Sequence, residues 1–76
     1  NKAYIVVANI IADVIIDMVN VLPYYLKADG HFITSGIIRE RRNEVCETYC
    51  SRGFDLVETL DKGEWVAMVF RCRGSL

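Results

Sequence analysis

The stretch that decides the fold is Tyr4-Ile5-Val6-Val7-Ala8, close to the start of a 76-residue chain. It is a continuous apolar run rich in β-branched residues, a pattern typical of a strand buried on both faces of a parallel sheet. Such a strand needs cover on both faces and a neighbour on each edge, because a bare apolar edge invites aggregation. The run therefore predicts a sheet that extends on both sides of it.

A broken helix is predicted after this first strand. Apolar residues recur at helical spacing from Asp13 onward, and Pro23 cannot occupy a helix interior without cost. Asn20 stands where it can cap a new turn that places Pro23 at its start. We therefore expect helices over residues 12–19 and 21–27, with Gly30 ending the second at positive φ.

The remaining sequence predicts a strand, a helix and a hairpin. Residues 31–36 have a strand pattern, and a helix is expected from Ile37 to the stop signal at Gly53. Two strands follow, Phe54–Leu60 and Trp65–Arg71, and the short loop between them contains Asp and Gly, which indicates a hairpin. The predicted order is β-α-β-α-β-β, an α/β fold.

The predicted connections leave one face of the sheet bare. Right-handed crossovers that move the same way across a sheet place their helices on one face. The first strand, however, has no polar side. The apolar content of 53% is also high for so short a chain. We therefore expect this chain to be the C-terminal part of a larger domain, or else to self-associate as a homodimer or larger assembly.

The charge balance and the cysteines exclude several classes of protein. Nine basic and ten acidic residues give a net charge of −1, which provides no field to attract nucleic acid or anionic membranes. Asn9, Asp13 and Asp17 interrupt the apolar runs, and no signal peptide is recognisable, so a cytoplasmic protein that does not span a membrane is expected. Three cysteines without a CxxC pair predict reduced thiols. Cys46 and Cys50, four apart on a predicted helix, could hold a metal, but only His31 and no other thiol cluster could complete a site, so none is expected.

Four segments together resemble a known family. They are Val6–Asp13, Leu26–Gly30, Ser35–Ile38 and Gly63–Val66, and their order and spacing are similar to the C-terminal portion of the ribosomal protein L11 methyltransferase family. The resemblance covers essentially all 76 residues. It implies the C-terminal part of a Rossmann-like class I methyltransferase sheet, with the last strand antiparallel and inserted between the second and third strands of this chain.

The resemblance also implies a function for a longer parent protein. Members of the family use S-adenosyl-L-methionine to methylate amino groups of a large-subunit ribosomal protein. Residues 1–76 would be a C-terminal portion of the catalytic domain, without the glycine-rich cofactor loop and the N-terminal substrate domain. We therefore expect the fragment alone to be inactive and not to bind the cofactor.

Candidate site residues follow from where the predicted strands end. Ligands of open α/β sheets bind beyond the carboxyl ends of the strands, where Asn9 is placed. The resemblance puts methyl donor and target amine beside it, so Asn9 is predicted to be a cofactor-binding residue whose amide can also orient the amine. Alternatively, Asn9 only bonds loop backbone or starts the helix. Ile10 and Ala12 would form the pocket wall or simply pack.

A second group of residues falls on the same rim. Ser35 and Gly36 end the second predicted strand, and Gly36 permits either close substrate approach or only a turn. Trp65 begins the last strand, where hairpin or core packing is expected and substrate contact is the alternative. His31 starts a strand at the far end from Asn9, so no catalytic role is predicted for it.

Two other functions remain open on sequence alone. One is a free-standing β-α-β-α-β-β binding or dimerisation module, which the wholly apolar first strand disfavours, since a self-sufficient small sheet shows polar alternation on its open face. The other keeps the class I methyltransferase fold with a nucleic acid or a small molecule as the target. The absence of a basic stripe disfavours a nucleic-acid target.

Overall fold

The computed structural model describes residues 2–74; Asn1, Ser75 and Leu76, which the predicted domain over residues 1–76 includes, lie outside them. A 3-10 turn, Arg39–Arg41, precedes the third helix. The helices and strands, in chain order, are β1 (Ala3–Asn9), α1 (Ala12–Met18), α2 (Leu22–Tyr25), β2 (Leu26–Ile38), α3 (Arg42–Cys50), β3 (Phe54–Lys62) and β4 (Trp65–Cys72). The predicted α/β order is confirmed, and Pro23 starts the second helix as expected.

The four strands form one sheet in the order β1-β2-β4-β3. β1 pairs with β2 in parallel, and β4 is antiparallel to both β2 and β3. The last strand therefore lies between the second and third strands of the chain, as the family resemblance implied. This order leaves one edge of β1 without a partner among the described residues.

An aromatic core fills the space between the sheet and its helices. Phe32, Phe54 and Phe70 surround the ring of Tyr49, with ring centroids 4.7 to 5.6 Å away. The Tyr49 hydroxyl donates a hydrogen bond to the Ile15 carbonyl oxygen at 2.5 Å. Ile15 lies in the last turn of α1, where carbonyl groups have no N–H partner within the helix. Burial raises the pKa of Tyr49 well above its usual range. α3 thereby fixes α1 directly after the end of β1.

The opposite face of the sheet carries apolar side chains that no described helix covers. Side chains alternate along strands, so Val7, Ile33 and Val69, which are neighbours across β1, β2 and β4, lie on the face opposite Phe32 and Phe70. Val7 is 67% exposed and Ile5, on the same side, is 58% exposed. The bare apolar face predicted from the crossovers is therefore present in the structure.

The predicted helix over 21–27 is wrong at its carboxyl end. α2 stops at Tyr25, and Leu26 already belongs to β2 and pairs with Ala3. The positive φ falls on Asp29, at 65°, rather than on Gly30. Gly30 is required for another reason, because a Cβ at that position would lie 2.7 Å from the Lys27 carbonyl oxygen.

The third helix begins later than the sequence suggested. Ile37 and Ile38 extend β2 because they pair with Val66 and Trp65 of β4, so helical structure starts only with the 3-10 turn and α3. The hairpin itself is confirmed and is tighter than predicted. Lys62 pairs with Trp65, which leaves a two-residue turn.

Candidate functional site

The carboxyl end of β1 and a bulge in β2 form one rim of the sheet. Asn9 is the last residue of β1 and lies beside Ser35 in the parallel register. The pairing of β2 with β4 shifts between Thr34 and Ile37, so the backbone of β2 bends just where β1 stops. This bend leaves space beyond β1, at the edge where open α/β sheets bind ligands.

The bend brings Gly36 against the side chain of Asn9. Gly36 has φ +80°, and a Cβ added to it would lie 2.6 Å from Oδ1 of Asn9. Any larger residue would therefore be strained in its backbone and would displace the amide. The sequence left two roles open for Gly36, close approach of a substrate or only a turn. In this structure the group that lies close to Gly36 is the side chain of Asn9.

An open cavity of about 480 Å³ lies at this rim. It is lined by Asn9, Ile10, Ile11, Ser35, Gly36 and Trp65. Four of the five residues that the sequence predicted to form the site thus come together. The fifth, Ala12, is only 5% exposed at the start of α1 and borders an adjoining groove instead.

Sequence reasoning assigned Trp65 to packing and did not select Ile11. Trp65 is 52% exposed and lines both the cavity and the adjoining groove. The alternation of side chains along β4 could have indicated this exposure of Trp65. Val66, Met68 and Phe70 point to the core, so Trp65, which directly precedes Val66, points to the opposite face of the sheet. Ile11 precedes α1, in a segment without regular periodicity, and no pattern marks it.

An ion-pair cluster borders the groove beside the cavity. Arg41 donates to Asp13 of α1 at 2.8 Å and to Glu44 of α3 at 2.7 Å. Hydrogen bonds to Glu44 and Asp13 raise the pKa of Arg41 above its ordinary value. Because these side chains are largely solvated, the cluster contributes little stability, but it ties the starts of the two helices together.

The residues that line the cavity can form hydrogen bonds and apolar contacts. None of the six lining residues carries an ionisable side chain. The N-cap of α1 is Ile11, without a side-chain hydrogen bond, so the Asn9 amide does not cap the helix. One amide therefore faces a mostly apolar cavity, where it can accept a hydrogen bond from a ligand and donate one to it.

A family model described as Ribosomal protein L11 methyltransferase (PrmA) matches residues 1–73. The chain belongs to this family. Among curated ribosomal protein L11 methyltransferases, that of Acetivibrio thermocellus is 57% identical over 99% of the chain, and that of Ruminiclostridium cellulolyticum is 55% identical over 100%. The chain spans 24% of the length of each of these two relatives.

Two solved structures share the fold of this chain, and one of them is a ribosomal protein L11 methylase. The ribosomal protein L11 methylase from Lactobacillus delbrueckii subsp. bulgaricus superimposes with a TM-score of 0.89 at 25% identity, over 95% of this chain and 37% of that one. A methyltransferase from Pyrococcus furiosus shares the fold, with a TM-score of 0.63 at 14% identity over 83% of this chain and 33% of that one. The four-stranded α/β sheet described here thus matches a part of a class I methyltransferase fold. Within residues 2–74, no helix has the length and apolar character needed to cross a membrane.

Proposed function

We propose that this chain is the C-terminal part of the catalytic domain of a cytoplasmic, S-adenosyl-L-methionine-dependent methyltransferase that modifies amino groups of a ribosomal protein. The observation that carries the proposal is the Asn9 amide, set against Gly36 at the carboxyl end of β1 in a cavity without ionisable side chains. The names of the curated relatives supply the ribosomal protein L11 substrate.

The lining residues fit only the reacting end of the cofactor. S-adenosyl-L-methionine, when bound, supplies an electrophilic methyl group to the acceptor amine. An amide and an apolar wall suit that end, whereas no charged side chain lines the cavity to hold an amino-acid or ribose moiety. We infer that the groups for those moieties belong to the rest of the parent protein.

Asn9 and the apolar wall have separate tasks in this proposal. Oδ1 of Asn9 accepts a hydrogen bond from an N–H of the acceptor amine, which aims the nitrogen lone pair along one direction. Ile10, Ile11 and Trp65 place apolar surface on one side of the amine, which disfavours the ammonium form and lowers the pKa of the amine. The ammonium form gives its proton to solvent through the open side of the cavity, and the amine that remains is neutral and able to attack the methyl group.

The functional proposal is tested by comparing the parent protein with this chain. The full-length protein is expected to transfer radiolabelled methyl groups from S-adenosyl-L-methionine to amino groups of the ribosomal protein. The 76-residue chain should transfer none and should show no binding in calorimetry. Absence of transfer by the full-length protein would refute the function, while micromolar cofactor binding by the chain would refute its assignment as an incomplete domain.

The bare sheet face predicts self-association when the chain is expressed alone. Val7, Ile33 and Val69 form an apolar row that a second copy can cover, and we expect light scattering to give a mass at least twice 8.7 kDa. Val7→Lys places a charge in this row and should shift the chain to monomer. Val14→Lys changes an exposed valine on α1, away from the sheet face, and should leave the assembly intact. A folded, monodisperse wild-type monomer would contradict this prediction.

A further inference from the structure

Two thiols lie side by side on α3, away from the candidate cavity. Cys46 and Cys50 are one helical turn apart, and their Sγ atoms are 3.9 Å from each other. Both side chains are partly exposed and pack at the margin of the core, whereas the third cysteine, Cys72, is buried in β4. The function proposed above makes no use of this pair.

The distance between the sulfur atoms suits a shared ion better than a disulfide. A disulfide needs the two Cβ atoms within about 4.5 Å, but residues four apart on a helix hold them about 5–6 Å apart, so a bridge would have to compress the turn. Two thiolates on one tetrahedral metal, with metal–sulfur bonds of about 2.3 Å, lie about 3.8 Å apart. The observed separation of 3.9 Å is close to that value without any movement of the helix.

We propose that Cys46 and Cys50 form a two-thiolate binding site for a thiophilic divalent ion, such as zinc or cadmium. Each thiol loses its proton as its sulfur bonds the ion, so the two thiolates neutralise the ionic charge and two protons pass to solvent. No third protein ligand lies within reach in the described part of the chain, so water fills the remaining positions.

A divalent ion between the two sulfur atoms offsets the mutual repulsion of two thiolates 3.9 Å apart, because both are attracted to the same positive charge.

The test is a titration of the reduced chain with cadmium chloride, followed by the ultraviolet absorbance of the cadmium–thiolate bond. We expect saturation at one cadmium ion per chain. Cys46→Ser or Cys50→Ser should each weaken the apparent affinity at least about tenfold, because the second thiolate otherwise binds at high effective concentration. Cys72→Ser should leave the titration unchanged. Saturating cadmium should also raise the Tm of the wild-type chain by several degrees, and this rise should be absent from both single variants of the pair.

Three results would overturn the two-thiolate site. They are saturation at one ion per two chains, a titration that survives Cys46→Ser, and a titration lost in Cys72→Ser. The first would mean that two chains share the ion, and the others would place the ligands elsewhere. Because the experiment uses only the ion and the thiols, it is independent of whether the parent protein is a methyltransferase.

Discussion

Asn9→Ala is expected to lower kcat about 100-fold in the full-length methyltransferase that we propose contains this chain. The substitution removes the hydrogen-bond acceptor that aims the lone pair of the amine, so the loss falls on the transition state. KM for the ribosomal protein should change little, since contacts remote from the amine remain. Tm should stay within about 1 °C, because Asn9 is exposed at the end of β1.

The matched control for this prediction is Asn43→Ala. Asn43 is an exposed asparagine on α3, far from the cavity lining, and alanine is at least as favourable in a helix. Methyl transfer should therefore be unchanged. A full-length Asn9→Ala protein with wild-type kcat would show that the amide does not position the amine, even if the protein is a methyltransferase.

The hairpin could be predicted from local turn signals, whereas the position of the last strand between the second and third strands was implied by the family resemblance alone. The segments that were misjudged lie where distant pairing overrides local preference. Lys27 and Ala28 have helical preference, but β1 draws Leu26 into the sheet, and β4 does the same for Ile37 and Ile38. A single sequence carries no record of such partners, so β2 was predicted at half its observed length.

The candidate site was predictable in its position but not in its inner contacts. Asn9 and Ser35 could be placed on one rim because the carboxyl ends of neighbouring parallel strands coincide. The approach of the Asn9 amide to Gly36 depends on the bulge in β2, and the 3.9 Å spacing of the Cys46 and Cys50 sulfurs depends on rotamers. Neither a bulge nor a rotamer leaves a distinct mark in residue spacing.

Gly36→Ala is expected to reduce methyl transfer nearly as much as Asn9→Ala, although it leaves Asn9 in place. The added Cβ would lie 2.6 Å from Oδ1 of Asn9, so the amide must turn away from the amine. The positive φ of Gly36 adds a stability cost of about 1–2 kcal/mol, which a thermal or urea melt should detect. Activity is measured at a temperature where the variant is still folded, so the two effects are separated.

Gly63→Ala is the control for Gly36→Ala, because it introduces the backbone strain without displacing the Asn9 amide. Gly63 also has positive φ, at 62°, but a Cβ there would meet nothing within 4 Å, so this variant should lose similar stability and keep its activity. In the Asn9→Ala background, Gly36→Ala has no amide to displace and should lower kcat no further, which is the non-additivity expected of residues that act through one contact. If the two losses in kcat instead multiply, Gly36 affects the reaction by a route that does not pass through Asn9.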